Sequence, residues 1–296
     1  MSIMSPVFRK LPADTPLSSD DRSIGAILLD AGKLSLADAE RILQYQKQEG
    51  CRFGQAGIQL GLLTEADCKQ ALATQFDFSY LVPGEGRISS ELVAAYEPNH
   101  RATEWFRALR SQLLLRWFGS EQNRRALAIV SPRSNEGRTY LAANLAVVFS
   151  QLGERTLLID ADFRKSRIAE MFGMKDALGL SSILAGREDT QVIQPIAGLD
   201  RLYVLPAGIV PPNPQELLER SGFDGLLKHL AEDFDVILID TPPGADHADA
   251  HTVAAAAGAA VMLTRQHHTR LEEARVLREK LRGTQAELVG SVLTGF

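Results

Sequence analysis

The amino-acid sequence predicts an α/β fold, a mainly parallel sheet flanked by helices and preceded by a small helical domain. Three observations predict it. From residue 101 onward, six short apolar runs, "RALAIV", "RTLLID", "DRLYVLP", "DVILID", "AAVMLT" and "LVGSVLT", alternate with helical or loop segments. That alternation suits a parallel sheet covered on both faces. Nearer the start, two stretches of equal length repeat one another with apolar residues at helical spacing. The loop "SPRSNEGRTY" (131–140) then joins an apolar run to the helical pattern "LAANLAVVFSQLG". Strand, loop and helix in that order form a setting in which backbone N–H groups can receive phosphate.

Residues 1–22 are polar, proline-containing and aperiodic, and read as a flexible tail. Next come "SIGAILLDAGKLSLADAERILQYQ" (23–46) and "RFGQAGIQLGLLTEADCKQALATQ" (52–75), which recur at a period of 29 residues. Gly25 aligns with Gly54, Gly32 with Gly61, Leu34 with Leu63 and Gln46 with Gln75. Each copy reads as a short helix ended by glycine, a Ser35 or Thr64 cap, and a second helix. Together they place a helical tandem-repeat domain at 23–82. This repeat resembles the N-terminal, MshEN-like domain of type II secretion and pilus-extension ATPases, in which two spaced copies bind cyclic di-GMP. The resemblance implies a ligand site at Arg22, Gly25, Arg52, Gly54 and Gly61. Helical periodicity alone equally supports a packing module without ligand. Residues 83–100 read as a linker with one short helix closed by Pro98, and the second domain is expected over 101–296.

In that domain the loop compares with G-x-x-x-x-G-K-S/T, whose N–H groups cradle phosphate while lysine reaches the outer phosphates and the hydroxyl binds magnesium. Gly137 and Thr139 hold their places, Arg138 stands for the lysine, and Pro132 stands for the first glycine. Asn135, Glu136, Gly137, Arg138, Thr139 and Tyr140 are therefore the expected nucleotide-binding residues. Asp160 and Asp162 follow the second apolar run, and Asp240 ends "DVILID". Nucleotide sites in parallel sheets lie at the carboxyl ends of strands. Aspartates converging there suit magnesium, a hard cation bound through carboxylates and phosphates.

Composition narrows the function classes. The chain has 296 residues, 45% apolar and 23% charged, enough for a large domain beside a small one. A net charge of −5 without a dense Lys/Arg block argues against direct nucleic-acid binding. Cys51 and Cys68 form no CxxC pair, which suits a reducing cytoplasm. "VAAAAGAAVMLT" is shorter than the roughly 18–20 residues of a membrane helix. The expectation is a cytoplasmic protein, peripheral to the inner membrane only through a partner.

"LLIDADFRKSRI", "GLSSILAG", "LYVLPAGIVPPNPQELL" and "FDVILIDTPPG" resemble the successive motifs of bacterial tyrosine kinases of polysaccharide export, relatives of the MinD/ParA P-loop ATPases. The helical extension and the arginine-bearing loop resemble the EpsG type, associated with exopolysaccharide chain-length determination. The resemblance covers about residues 98–296 and implies a P-loop NTPase fold using ATP and magnesium. It also implies a membrane chain-length determinant (Wzz-like) protein as partner. Thr139 would coordinate magnesium, Arg138 would contact phosphates, and Asp160 and Asp162 would hold metal and orient or deprotonate the attacking tyrosine. Asp240 would bind the metal through water. Arg133, at the place of a second lysine in MinD/ParA relatives, reads as an exposed loop arginine.

Glu104, Arg107 and Arg110 in "ATEWFRALRSQL" lie on one helical face, and the resemblance implies that this helix joins subunits into a ring. His247 and His251 lie at i,i+4 but lack a third ligand in the sequence, so they read as a solvent-facing helix start. Asp249 matches an aspartate that often follows the D-T-P-P turn, without an assigned role. The sequence ends "LVGSVLTGF" where the resemblance implies a tyrosine-rich tail, and Tyr45, Tyr80, Tyr96, Tyr140 and Tyr203 are scattered. An ATPase without protein substrate, or a nucleotide-binding regulatory module gated by cyclic di-GMP, is the competing expectation.

Overall fold

The computed structural model describes residues 23–75, 80–82, 84, 86–119, 124–174, 178–219 and 222–295. The tail at 1–22, and with it Arg22, lies outside the described residues. The chain divides into two compact units between Phe78 and Ser79.

The first unit holds α1 (Ile24–Asp30), α2 (Leu36–Glu49), α3 (Phe53–Gln59) and α4 (Glu65–Gln75). Its helices start where the sequence supplies caps. Ser23 Oγ accepts from Ala26 N, Ser35 Oγ from Asp38 N and Thr64 Oγ1 from Asp67 N. Gly32 and Gly61 turn the chain at φ +66° and +67°, a left-handed conformation that favours glycine. Leu28, Leu34, Ile42, Ala56, Leu63 and Ala71 form a small core. The other repeated glycines make room for packing. A Cβ on Gly25 would lie 3.2 Å from the Phe53 ring, and one on Gly54 would lie 3.1 Å from Cys68 Sγ. Arg52 sits at the start of α3, where its N–H donates to Gln55 Oε1 at 3.3 Å.

The second unit is built on seven strands: β1 (Ala126–Val130), β2 (Thr156–Asp160), β3 (Gln194–Pro195), β4 (Leu202–Leu205), β5 (Val236–Asp240), β6 (Ala259–Arg265) and β7 (Glu287–Thr294). Their order is β3-β4-β2-β5-β1-β6-β7. All neighbours are parallel except β3, which pairs antiparallel with β4. The six strands expected from the apolar runs are present. The two-residue β3 was not expected, because it is exposed, lacks an apolar run and contains Pro195, a residue tolerated at a sheet edge.

Alternate residues of β1 feed two cores, Leu127 and Ile129 one face, Ala128 and Val130 the other. α5 (Val93–Tyr96), α6 (Arg101–Leu113) and α7 (Arg138–Ser150) cover the first face. α10 (Pro214–Glu219), α11 (Gly222–Asp233), α12 (Asp249–Ala257) and α13 (Leu271–Arg282) cover the second. The short helices α8 (Ile168–Met171) and α9 (Leu180–Leu184) lie between β2 and β4 in the chain. α7 is buried along Leu141–Ser150, as expected of a helix apolar on every side.

Two expectations change here. The segment read as a linker over 83–100 is integral to the second unit: Leu92, Ala94 and Ala95 are fully buried. Asn144 of α7 holds it, accepting from Ala94 N at 3.0 Å and donating to Glu91 O at 3.1 Å and Tyr140 O at 3.0 Å. Polar, proline-bearing composition concealed this, because the segment satisfies its backbone largely through distant groups, Asn144 of α7, Gln151 at its end and Met171 O, rather than through a strand or long helix. On α6, Glu104 and Arg107 form an ion pair, but Arg110 turns inward. Its Nη1 donates to Val148 O at 2.5 Å, one of the last-turn carbonyls of α7 that lack an intrahelical partner.

Replacing Asn144 by alanine leaves the buried Ala94 N–H without its acceptor, a loss of about 1–3 kcal/mol. Urea unfolding should show a lower midpoint at unchanged slope. An unchanged midpoint would mean that the 86–100 segment is held without Asn144, by its apolar contacts and the bonds from Gln151 to Ala94 O and from Ser89 N to Met171 O.

Candidate active site

The loop between β1 and α7 has its shape fixed from several directions. Asn135 and Gly137 adopt φ +60° and +95°, the first a conformation that asparagine tolerates better than most residues. Gly244 N donates to Ser131 O at 2.9 Å, and Ala245 N to Pro132 O at 3.0 Å. The end of β6 and the residues that follow it supply the rest. Arg265 donates to Asn135 O at 3.0 Å, His268 Nε2 contacts Ser134 O at 3.2 Å, and Glu273 pairs with Arg133 Nε at 2.9 Å. Arg133 is thus an ion-paired side chain rather than a free loop arginine. Glu136, expected at the nucleotide, turns its carboxylate into the protein. One oxygen accepts from Arg133 N at 2.7 Å and the other from the Thr269 hydroxyl, and the residue is fully buried.

Arg138 departs further from expectation. Its Nε donates to Thr241 O at 2.8 Å, and Nη1 donates to the Ser131 hydroxyl and, at 2.6 Å, to Arg133 O. The guanidinium therefore ties the end of β1, the loop and the turn after β5 together, using the fork of donors that a lysine lacks. Thr139, next in line, donates its hydroxyl to Asp240 Oδ2 at 2.6 Å.

The parallel register of β2 and β5 sets Asp160 directly beside Asp240, on strands roughly 4.8 Å apart. Both are buried. Burial raises the Asp160 pKa to about 6, against the opposing hydrogen bonds from Ser166 Oγ and from the Asp162 and Ile168 N–H groups. Burial, then repulsion from Asp160, pushes Asp240 up to about 8, with Arg138 and Thr139 acting the other way. Asp240 Oδ1 is buried without a hydrogen-bond partner. Two adjacent carboxylates, one of which, Asp240, has an unmet oxygen and takes the Thr139 hydroxyl on its other, fit a hard divalent cation. Among the described residues no three His, Cys, Asp or Glu side chains gather into a metal cage. The expected set of Asp160, Asp162 and Asp240 is therefore a strand-end pair plus a separate carboxylate.

Asp162 is that separate group. Its Oδ1 accepts from Arg164 N at 3.1 Å and Lys165 N at 3.0 Å, an Asx turn that orients the side chain. It lines a cleft of about 290 Å³ with Lys165, Arg167 and Pro243, and Asn135, Gly137, Arg138, Thr139 and Tyr140 line the same cleft. Tyr140 has its hydroxyl pKa raised by burial and by Glu91. Arg167 pairs with Glu91 at 2.8 Å, and Arg164 reaches the fully buried Asp249 at 2.7 Å. The Arg164–Asp249 pair braces the Asp162 turn against α12, giving Asp249 the role that sequence reading left open.

Sequence reading did not reach Thr241, Thr269 or the segment around Arg265, because their contacts join residues far apart in the chain, nor Ser166, whose bond to Asp160 depends on how the turn after β2 folds back. His247 and His251 line a separate open cleft of about 390 Å³ with Lys280. Burial and the Lys280 charge lower the His251 pKa.

A family model for ParA, described as NUBPL iron-transfer P-loop NTPase, matches residues 122–292. The tyrosine-protein kinase YwqD of Bacillus subtilis is 31% identical over 209 residues, 71% of this chain and 87% of that protein. The tyrosine-protein kinase wzc of Salmonella typhimurium is 38% identical over 184 residues, 62% of this chain but 25% of that protein, so the chain spans about a quarter of the larger relative. The kinase domain of Escherichia coli tyrosine kinase ETK superposes with a TM-score of 0.67 at 28% identity, covering 74% of this chain and 85% of that one.

The aspartate pair makes metal-free stability depend on pH. The folded protein retains protons on carboxylates that the unfolded chain releases near pH 4, so stability is greatest below that value and is lost progressively as pH rises to about 8. Thermal unfolding of magnesium-free protein should show a melting temperature that falls from about pH 5.5 to about pH 8.5, a range above the unfolded carboxylate value of about 4, and Asp240→Asn should flatten that fall. Parallel pH profiles for the two proteins would remove the pair as its source.

Proposed function

The chain belongs to the bacterial tyrosine kinases of the ParA-like P-loop NTPases, and from that premise we propose that its cleft transfers the γ-phosphoryl group of ATP to a tyrosine hydroxyl. The observation that carries this reading is the single cleft shared by the phosphate loop, Thr139 and Asp162. Magnesium held at Thr139, beside Asp240 and Asp160, would neutralise charge on the phosphate oxygens.

The protein's own residues divide the remaining work. N–H groups of the loop and the start of α7 receive phosphate. Asp162 accepts the phenolic proton as the tyrosine oxygen bonds to the γ-phosphorus. The bond from phosphorus to the bridging oxygen breaks, and ADP leaves with that electron pair. Arg138 keeps the loop in shape and places a positive charge by Asp240. Such a transfer depends on positioning and charge stabilisation more than on covalent chemistry by the enzyme.

We extend the proposal to control of exopolysaccharide chain length, exerted from the cytoplasmic side with a membrane chain-length protein, as the EpsG-type motifs suggest. In the described residues no helix is long and apolar enough to cross a membrane. For the first unit, the packing of Phe53 on Gly25 and Cys68 on Gly54 supports a packing module over a cyclic di-GMP site. The ParA match favours a second reading, ATP hydrolysis without a protein acceptor, which would yield phosphate but no phosphotyrosine.

With magnesium-ATP, the purified full chain should form phosphotyrosine, and Asp162→Asn should lower the rate by about 10²–10⁴-fold while still binding nucleotide. Phosphate release without phosphotyrosine, in the wild type and with candidate acceptors, would select the ATPase reading.

Self-association through α6 is the remaining part of the proposal. Arg107→Ala should lower the sedimentation coefficient of the magnesium-nucleotide form without shifting the unfolding midpoint. Arg110→Ala should also destabilise the fold by about 1 kcal/mol through the lost bond to Val148 O. Unchanged sedimentation of Arg107→Ala would remove this helix as the interface.

A further inference from the structure

The cation at the lysine position of the phosphate loop is already committed. Arg138 is bound to Thr241 O, the Ser131 hydroxyl and Arg133 O and is only 8% exposed. Swinging it toward a ligand would break the tie between two strand ends and take from Thr241 O the donor that Arg138 Nε supplies. The transferred phosphoryl group still needs positive charge where its oxygens gather.

Two other cations line the cleft. Arg167 is held by Glu91 at 2.8 Å. The ammonium of Lys165 has no ion pair among the described residues and lies on an exposed residue. Its backbone, in contrast, is fixed, because Lys165 N donates to Asp162 Oδ1 at 3.0 Å. The lysine thus stems from the same turn that orients the proposed base, with a flexible chain and a compact charge at its end.

We infer that Lys165, and not Arg138, supplies the positive charge that meets the γ-phosphate in this cleft. The inference rests on the reading of the cleft as an ATP site. Lys165 donates N–H bonds to γ-phosphate oxygens and takes no part in the proton transfer, while the phenolic proton passes to Asp162 and the bridging electron pair leaves with ADP. The charge migrates from the loop, where most P-loop proteins carry it, to the turn after β2. Arginine at 138 is then free to act as a structural tie.

The test uses the full chain with Lys165→Met and Lys165→Arg, each in the wild-type and Arg138→Lys backgrounds. Calorimetry would measure magnesium-ATP and magnesium-ADP affinity, and single-turnover assays would measure phosphoryl transfer. Lys165→Met should weaken ATP by about tenfold or more while leaving ADP within about twofold, because only ATP offers the γ-phosphate. Transfer should fall by about 10²–10³-fold, and Lys165→Arg should keep most of the ATP preference. In the Arg138→Lys background the loss should shrink to under about tenfold, the coupling expected when two residues can supply one charge.

An unchanged ratio of ATP to ADP affinity in Lys165→Met would overturn the inference. Fully additive losses in the two backgrounds would overturn the claim that Lys165 replaces the loop lysine. If the wild type binds ATP but forms no phosphotyrosine, the kinase reading fails alone and the affinity ratio still decides Lys165. Failure to bind either nucleotide would sink both.

Discussion

Asp160 and Asp240 end adjacent parallel strands and face one another inside the protein, and the rest of the site is arranged around that repulsion. A pair of buried carboxylates is costly unless charge or hydrogen bonds compensate it. Compensation arrives from every element that reaches this end of the sheet. Ser166 and two backbone N–H groups serve Asp160. Thr139 serves Asp240 directly, and Arg138 serves it through its charge. One oxygen of Asp240 is left without a partner. The fold thus builds a buried acidic pair whose chemistry suits a divalent cation, and the register of β2 against β5 sets its two carboxylates side by side.

That constraint explains why arginine is compatible with the loop. A lysine would offer a single compact charge, whereas Arg138 offers directional donors to Thr241 O, Ser131 Oγ and Arg133 O at once. The first glycine of the usual loop is Pro132 here, so part of the backbone freedom of such loops is missing. Its shape is instead imposed from outside, by Gly244 and Ala245 on one side and by Arg265, His268 and Glu273 on the other. Glu136 completes this bracing from within, by receiving Arg133 N and the Thr269 hydroxyl. A loop clamped in this way binds without a large ordering cost.

Much of the fold was legible in the sequence, because each main strand is a short apolar run and three of the four repeat helices, α1, α2 and α4, begin at a serine or threonine whose oxygen caps them. The convergence of Thr139, Asp160 and Asp240 was legible for the same reason, since strand ends in a parallel sheet lie at one edge. Side-chain direction was not legible. Glu136 and Arg138 sit among loop residues that line the cleft, yet the first carboxylate points into the protein and the second guanidinium binds backbone. Nothing in their spacing separates a side chain aimed at a ligand from one aimed at Thr269 or Thr241, more than a hundred positions away. The same limit hid Asn144, whose role depends on a segment some 50 residues earlier.

The Asp162 turn shows how these long-range contacts serve chemistry. As the proposed base, Asp162 would have to present a carboxylate oxygen at a fixed place, and it lies beyond the end of β2. Its own Oδ1 closes the turn onto Arg164 and Lys165 N–H groups. Arg164 then anchors the turn to Asp249, whose complete burial leaves that carboxylate dependent on the pairing. Anchoring at α12 joins the turn to the element that follows Asp240 in the chain. Asp162 is therefore tied through Arg164 and Asp249 to the start of α12, and a shift of α12 would move Asp162 relative to the strand-end pair. Preorganisation of this kind matters most where transfer depends on alignment rather than on covalent chemistry.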